Sequence, residues 1–156
     1  MNTHLLAIKL TGRTATAAVY FGPELHYTEV RQLASDLGQA KTSLVGFLSS
    51  LIEHFRVDST VSEQSTVDTR ATALTTSMLD LLREKALPHW AVKKSELFTA
   101  YGEVSLTSTR ALRDVVNNYW PHIINEQDDR TCLDAAALGL YLQTERMLSD
   151  NFSTSL

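Results

Sequence analysis

The chain has 156 residues, of which 44% are hydrophobic and 21% are charged. This composition is globular and excludes a disordered chain, and the length suits one domain whose core needs no disulfide or metal. The formal net charge of −4 excludes a long-range attraction of the whole molecule to nucleic-acid phosphates. A local basic face formed by Lys93, Lys94, Arg110 and Arg113 could still act at short range.

The chain begins with an apolar alternation of period two, which is typical of half-buried strands. The alternation runs through residues 5–10, Thr14–Phe21 and residues 25–33. The breaks between these segments, Gly12-Arg13 and Gly22-Pro23, are short and consist of residues that favour turns. The pattern predicts three antiparallel strands joined as a meander.

From residue 36 the apolar spacing changes to three and four, which is typical of an amphipathic helix. This helix is predicted to end at Phe55, with Asp36 or Ser35 as its N-cap. A short strand over Ser59–Glu63 follows, and residues 68–87 are predicted to form a second helix.

After a proline, residues 89–93 are predicted to form a further strand, and helices are predicted at residues 95–101, 107–120 and 131–147. Alternating strands and helices after an initial meander predict an α/β fold. We expect a five-stranded mixed sheet, a three-strand antiparallel meander followed by αβαβ, with helices on both faces. One domain is expected over residues 1–149, with a flexible tail over residues 150–156.

The N-terminus lacks the basic and apolar regions of a signal peptide, and no apolar run approaches the roughly 20 residues of a membrane helix. We therefore expect a cytoplasmic protein that does not bind membranes. The single cysteine, Cys132, excludes an internal disulfide and a cysteine-based zinc site. The histidines lack metal-binding spacing, and no serine-nucleophile, P-loop or dinucleotide motif is present.

Three short motifs lie on these predicted elements. They are Lys9-Leu10-Thr11-Gly12 at the end of the first strand, Val61-Ser62-Glu63-Gln64 at the end of the fourth, and Asp134-Ala135-Ala136-Ala137-Leu138 at the start of the last helix. With the element order, they resemble the RuvC-type Holliday junction resolvases of the ribonuclease-H-like fold, over nearly the whole chain. In that family the first motif begins with an Asp, the second contains a Glu, and the third reads D-A-A-D-A-L. Here the first glycine is displaced by one position, Lys9 replaces the first acid, and Ala137 stands where the fourth acid would be.

The resemblance implies a nuclease site in which two divalent ions, roughly 3.5–4 Å apart, are held by carboxylates. Glu63 and Asp134 are the remnant acids of that site, and Lys9 occupies the place of the acid that would bridge both ions. An ammonium there would neutralise the remaining acids, so we expect a salt-bridged cluster of Lys9, Glu63 and Asp134 with no cofactor.

Asp128 and Asp129 precede the last predicted helix, which begins near Asp134. They could complete a rebuilt Mg²⁺ or Mn²⁺ site with Glu63 and Asp134, although an acidic loop is more often simply solvated. Two functions therefore stay open. The favoured one is a catalytically degenerate RuvC-like domain that acts as a nucleic-acid- or protein-binding or assembly module. Its candidate partners are a second copy of the chain, branched DNA and a protein. The alternative is a metal-dependent, structure-selective endonuclease that resembles a Holliday junction resolvase.

Overall fold

The computed structural model describes residues 3–22, 24–63, 69–93 and 135 of the chain. These residues form five strands and two helices: β1 His4–Leu10, β2 Thr14–Phe21, β3 Glu24–Gln32, α1 Leu37–Phe55, β4 Ser59–Glu63, α2 Thr69–Glu84 and β5 His89–Val92. Ala135, within the helix predicted over residues 131–147, is helical and buried. The rest of the helices predicted beyond residue 93, the limits of the predicted domain and the predicted tail lie outside the described residues.

The five strands form one sheet in the order β3-β2-β1-β4-β5. The first three strands are antiparallel neighbours, whereas β4 runs parallel to both β1 and β5. The parallel pairs are joined through α1 and α2, which is the connection that parallel strands require. The predicted mixed sheet, an antiparallel meander followed by αβαβ, is therefore confirmed.

The first helix begins where its cap was predicted. The Asp36 side chain accepts a hydrogen bond from the Gln39 backbone N–H at 2.9 Å, so Asp36 and not Ser35 is the N-cap. At the other end, Arg56 adopts a left-handed conformation with φ 51° and its N–H bonds to the Ile52 carbonyl, which closes the helix.

Both helices pack on the same face of the sheet. The core on this face consists of alternate residues of the strands and the apolar stripes of the helices, including Leu6, Ile8, Ala17, Val19, Leu44, Leu48, Leu74, Met78 and Leu82. The opposite face is equally buried, with Leu5, Ala7, Ala18 and Tyr20 fully inaccessible. Burial on both faces is what a sheet with parallel strands needs. No helix in the described parts of the chain is long and apolar enough to cross a membrane.

Candidate functional site

The ends of two parallel strands bring together residues that the sequence placed at a candidate site. Ala7 pairs with Val61 and Ile8 with Ser62, so the next positions, Lys9 and Glu63, are neighbours at the carboxyl ends of β1 and β4. In α/β sheets this edge is the usual location of ligand sites. Because side chains alternate along a strand, both residues lie on the sheet face opposite α1 and α2.

Lys9 and Glu63 form an ion pair. The Lys9 Nζ lies 3.6 Å from the Glu63 Oε2, and each side chain is 17% exposed. The contact expected between the two is therefore present in the structure. Asp134, the third member of the expected cluster, lies outside the described residues, as do Asp128 and Asp129.

The chemistry of this pair does not fit the two divalent ions that the resemblance implies. A lysine ammonium has three donors and no acceptor, so it cannot be a metal ligand. Within residues 3–22, 24–63 and 69–93, no group of three or more His, Cys, Asp or Glu side chains is placed to hold a metal ion. Glu63 faces an internal cation instead.

A third residue of this site was missed by the sequence reasoning. Thr16 on β2 pairs with Lys9 across the strands and is 1% exposed, and its Oγ1 has no hydrogen-bond partner among the described residues. A buried hydroxyl without a partner is unfavourable by about 1–3 kcal/mol, so such groups are rare in native proteins. Threonine is common in strands, and nothing in the sequence distinguishes this one from a packing residue.

The turn after β1 forms the rim of the site, and Thr11 organises it. Its Oγ1 accepts the backbone N–H groups of Thr14 at 2.9 Å and Arg13 at 3.2 Å, while its own N–H donates to the Thr14 carbonyl at 3.0 Å. Arg13 is exposed at the tip of this turn.

Arg70, in the first turn of α2, holds this rim in place. Its guanidinium donates to the carbonyls of Gly12 and Ala34, and also to that of Ser35 at 2.8 Å. One side chain thereby ties α2 to the turn after β1 and to the segment that precedes α1. The sequence reasoning did not identify Arg70, because its partners are 35 to 58 residues away in the chain.

The described residues of this edge carry an excess of positive charge. Four cations, Lys9, Arg13, Arg70 and Lys93, face two carboxylates, Asp36 and Glu63, which leaves a local net charge of 4 − 2 = +2. The N-termini of α1 and α2 lie at the same edge and add the positive ends of their dipoles. Of the predicted basic face, Lys93 is described and exposed, and Lys94, Arg110 and Arg113 lie outside the described residues.

A polar cluster on the other face of β4 connects it to β5. The Thr60 hydroxyl donates to the Pro88 carbonyl at 3.0 Å, so its oxygen accepts from the His89 Nδ1–H at 2.7 Å. His89 Nε2 lies 2.9 Å from the Ser62 Oγ, and in the neutral imidazole it accepts a hydrogen bond from that hydroxyl. Burial lowers the pKa of His89. Ser62 is buried, 5% exposed.

Comparison with known proteins finds resemblance in structure and none in sequence. No family model and no curated protein matches the chain. RuvC of Thermus thermophilus in complex with a Holliday junction substrate matches with a TM-score of 0.74 at 13% identity, over 93% of this chain and 96% of that one. The yeast mitochondrial Holliday junction resolvase Ydc2 matches with a TM-score of 0.67 at 12% identity, over 98% and 86%.

The Holliday junction resolvase of fowlpox virus matches with a TM-score of 0.62 at 13% identity, over 94% of this chain and 99% of that one. At these identities the likeness establishes the fold alone. The predicted ribonuclease-H-like fold of the RuvC-type resolvases is thus confirmed.

Proposed function

We propose that this chain, which has the fold of the RuvC-type resolvases, is a catalytically degenerate member that binds branched DNA without cutting it. The observation that carries the proposal is the ion pair between Lys9 and Glu63, 3.6 Å apart at the carboxyl ends of two neighbouring parallel strands. Lys9 and Glu63 are 54 positions apart in the sequence, so the fold brings them together.

Charge arithmetic argues against a metal ion at this pair. Two unit charges 4 Å apart interact by about 4 kcal/mol at an effective dielectric constant of about 20. A divalent ion at that distance from both groups would gain about 8 kcal/mol from Glu63 and lose about as much to Lys9. The pair therefore offers a divalent cation no net attraction, whereas two-ion cleavage of a phosphodiester requires carboxylates that attract both ions.

The same edge of the sheet suits a polyanion. Its described residues carry a local charge of +2 although the whole chain carries −4, and two helix N-termini add to the positive potential. Phosphate groups bind to such surfaces through cationic side chains and backbone N–H groups. The structural neighbours from Thermus thermophilus and fowlpox virus include complexes with Holliday junction DNA, which supports a branched duplex as the ligand class.

The experiment compares binding and cleavage of one synthetic four-way junction, with a linear duplex of the same arms as competitor. We expect the wild type to retard the junction in a gel equally well with Mn²⁺ and with a chelator, and to leave every strand uncut. Arg13→Gln should weaken binding and lower the slope of log K against log salt by about 1, because one phosphate contact is lost. Arg83→Gln, at the far end of α2 and 81% exposed, is the matched control and should bind as wild type does.

Two results would replace this proposal. Manganese-dependent cleavage that disappears in Glu63→Gln would establish the alternative nuclease, with a site rebuilt from Glu63, Asp134 and Asp128 or Asp129. No binding to junction or duplex at low salt would leave a protein as the partner.

A further inference from the structure

A groove runs between β3, the edge strand of the described sheet, and the helix α1. It has a volume of about 550 Å³, and its walls include Tyr27, Glu29 and Arg31 of β3 and Gly46, Ser50 and Phe55 of α1. We propose that this groove binds an extended peptide segment of a different protein, which adds to β3 as an antiparallel strand and places alternate side chains in the groove.

An edge strand beside a helix suits this mode of binding. Peptide-recognition modules that extend a sheet by one strand obtain affinity from backbone hydrogen bonds to the edge strand and specificity from side-chain pockets along it. Among the described strands, β3 pairs with β2 alone. Their pairing is irregular only between Val19 and Tyr20 of β2 and is regular over residues 27–32 of β3. A bulge interrupts regular pairing, so residues 27–32 are the part of the edge that a peptide strand can follow.

The side chains of β3 give the groove an aromatic end and a charged end. Tyr27, Glu29 and Arg31 alternate along the strand, so they lie on the face that carries α1. At one end the rings of Tyr27 and Phe55 lie 5.1 Å apart. At the other end the Arg31 guanidinium lies over the Phe47 ring, 5.0 Å from its centroid, which fixes the direction of this side chain.

Glu29 and Arg31 are held in position and stay accessible to a ligand. Glu29 accepts a hydrogen bond from the Tyr27 hydroxyl at 3.0 Å. The carboxylate of Glu29 and the guanidinium of Arg31 are 3.7 Å apart, and the two side chains are 33% and 49% exposed. This distance is longer than a hydrogen bond, and a guanidinium has five donors. Arg31 can therefore bond a carboxylate of the peptide, and Glu29 an ammonium.

The helix leaves the groove open because the side chains that face it are small. Ser43, Gly46 and Ser50 follow each other along α1 at intervals of three and four residues, on one stripe of the helix. A Cβ added at Gly46 would meet nothing within 4 Å. Phe47 and Leu51, which are both buried, supply the apolar lining beneath. The groove thus has room for the side chains of one added strand.

The side chains of β3 define the chemistry of the peptide. In an antiparallel pair, every second residue of the peptide, from its N-terminus to its C-terminus, faces Arg31, then Glu29, then Tyr27. Opposite charges and aromatic pairs across two strands are favourable, whereas like charges are unfavourable. The peptide therefore carries an acidic residue, then a basic residue two positions later, then an aromatic residue two positions after that.

A second copy of the chain does not supply this order. An antiparallel pair that places Glu29 of one copy opposite Arg31 of the other places Leu33 opposite Tyr27. Leu33 is 9% exposed and packs in the core of its own chain, so it does not enter the groove. A segment of a different protein can place an aromatic side chain there. Neither nucleic acid nor metal takes part, so this inference is independent of the proposed function and can fail separately.

The test is calorimetric titration of the full chain with two synthetic peptides capped at both ends. The matching peptide is Thr-Glu-Val-Lys-Val-Phe-Thr, and the swapped peptide, Thr-Lys-Val-Glu-Val-Phe-Thr, exchanges its two charges. We expect one-to-one binding of the matching peptide and at least about tenfold weaker binding of the swapped peptide, because two attractive pairs become repulsive. The double variant Glu29→Arg/Arg31→Glu should prefer the swapped peptide by a similar factor, because both charges of the groove are then reversed.

Two further variants test the place of binding. Gly46→Phe should abolish binding of the matching peptide, because the ring fills the groove. Thr76→Phe, which adds the same ring at an exposed position of α2 outside the groove, is the matched control and should bind as wild type does. Circular dichroism verifies folding, and Gly46→Leu replaces Gly46→Phe if that variant does not fold.

Three results would overturn the proposal. The first is that neither peptide binds to wild type, and the second is equal affinity for the two peptides or a double variant that keeps the wild-type preference. The third is normal peptide binding by the variant with a filled groove. Sedimentation of the chain with and without the matching peptide is the last check. Self-association that the peptide displaces would assign the groove to a second copy and would also contradict the proposal.

Discussion

The position of Lys9 and its contact with Glu63 could both be predicted from the sequence. Its position at the end of β1 followed from the alternation of apolar residues, and its contact with Glu63 follows from two parallel strands that end at the same edge. Both facts depend on local patterns and on one rule of sheet topology, so they were within reach of the sequence. Thr16 and Arg70 were not, because the burial of Thr16 and the hydrogen bonds of Arg70 depend on segments that only the folded chain brings close.

His89 gives the clearest dependence of stability on pH. Burial lowers the pKa of His89 in the folded protein, and both ring nitrogens are engaged by hydroxyl groups. The unfolded chain, with an ordinary histidine pKa of about 6.5, therefore binds more protons than the folded chain just below that pH. The contribution of His89 to the free energy of unfolding is complete above about pH 6.5 and is lost as the pH falls towards the lowered pKa.

Urea denaturation of wild type and His89→Asn between pH 7.5 and pH 5, roughly one unit or more on each side of the ordinary histidine pKa, measures this contribution. We expect the wild type to lose more stability over that range than the variant does, because only the wild type must protonate a buried imidazole. Parallel curves for the two proteins would show that His89 does not carry the effect.

At the scale of elements, the prediction succeeded where the signals are local. β2 and β4 have the predicted limits, and α1 begins after the predicted cap. The second helix ends earlier than predicted, at Glu84 rather than at residue 87. Ala86 adopts φ 55° and the Leu87 N–H bonds to the Leu82 carbonyl, so the chain turns before the proline. Glycine usually occupies such a left-handed position after a helix, so an alanine there does not indicate in the sequence where the helix ends.

Two glycines of α1 give a test of how local geometry sets helix stability. A Cβ added at Gly46 would meet nothing within 4 Å, whereas one at Gly38 would lie 3.3 Å from the Asp36 Oδ2 that caps the helix. Gly46→Ala should therefore raise the free energy of unfolding by about 1 kcal/mol, the helix-propensity difference between the two residues. Gly38→Ala should give a smaller gain, because the new methyl group crowds the cap.

The comparison is made by urea denaturation of wild type and the two variants under the same conditions. A gain for Gly38→Ala that equals or exceeds that for Gly46→Ala would contradict this account of the first turn of α1.

At the scale of the whole molecule, the sequence predicts the fold better than it predicts the charge distribution. The order of strands and helices from β1 to β5 followed from periodicity, and the structure confirms it. Net charge alone does not show the charge distribution, because a total of −4 is compatible with an excess of cations among the described residues of one sheet edge. Which charges meet at an edge depends on the topology, and composition alone does not contain that information.

The central claim is that the Lys9 ammonium takes the place of a metal ion beside Glu63. Calorimetric titration with Mn²⁺ and Mg²⁺ tests it most directly, with wild type, Lys9→Asp and the double variant Lys9→Asp/Glu63→Gln measured under the same conditions. The account predicts no stoichiometric binding to wild type, binding to Lys9→Asp, and its loss in the double variant. Stoichiometric binding to wild type as tight as to Lys9→Asp would contradict it.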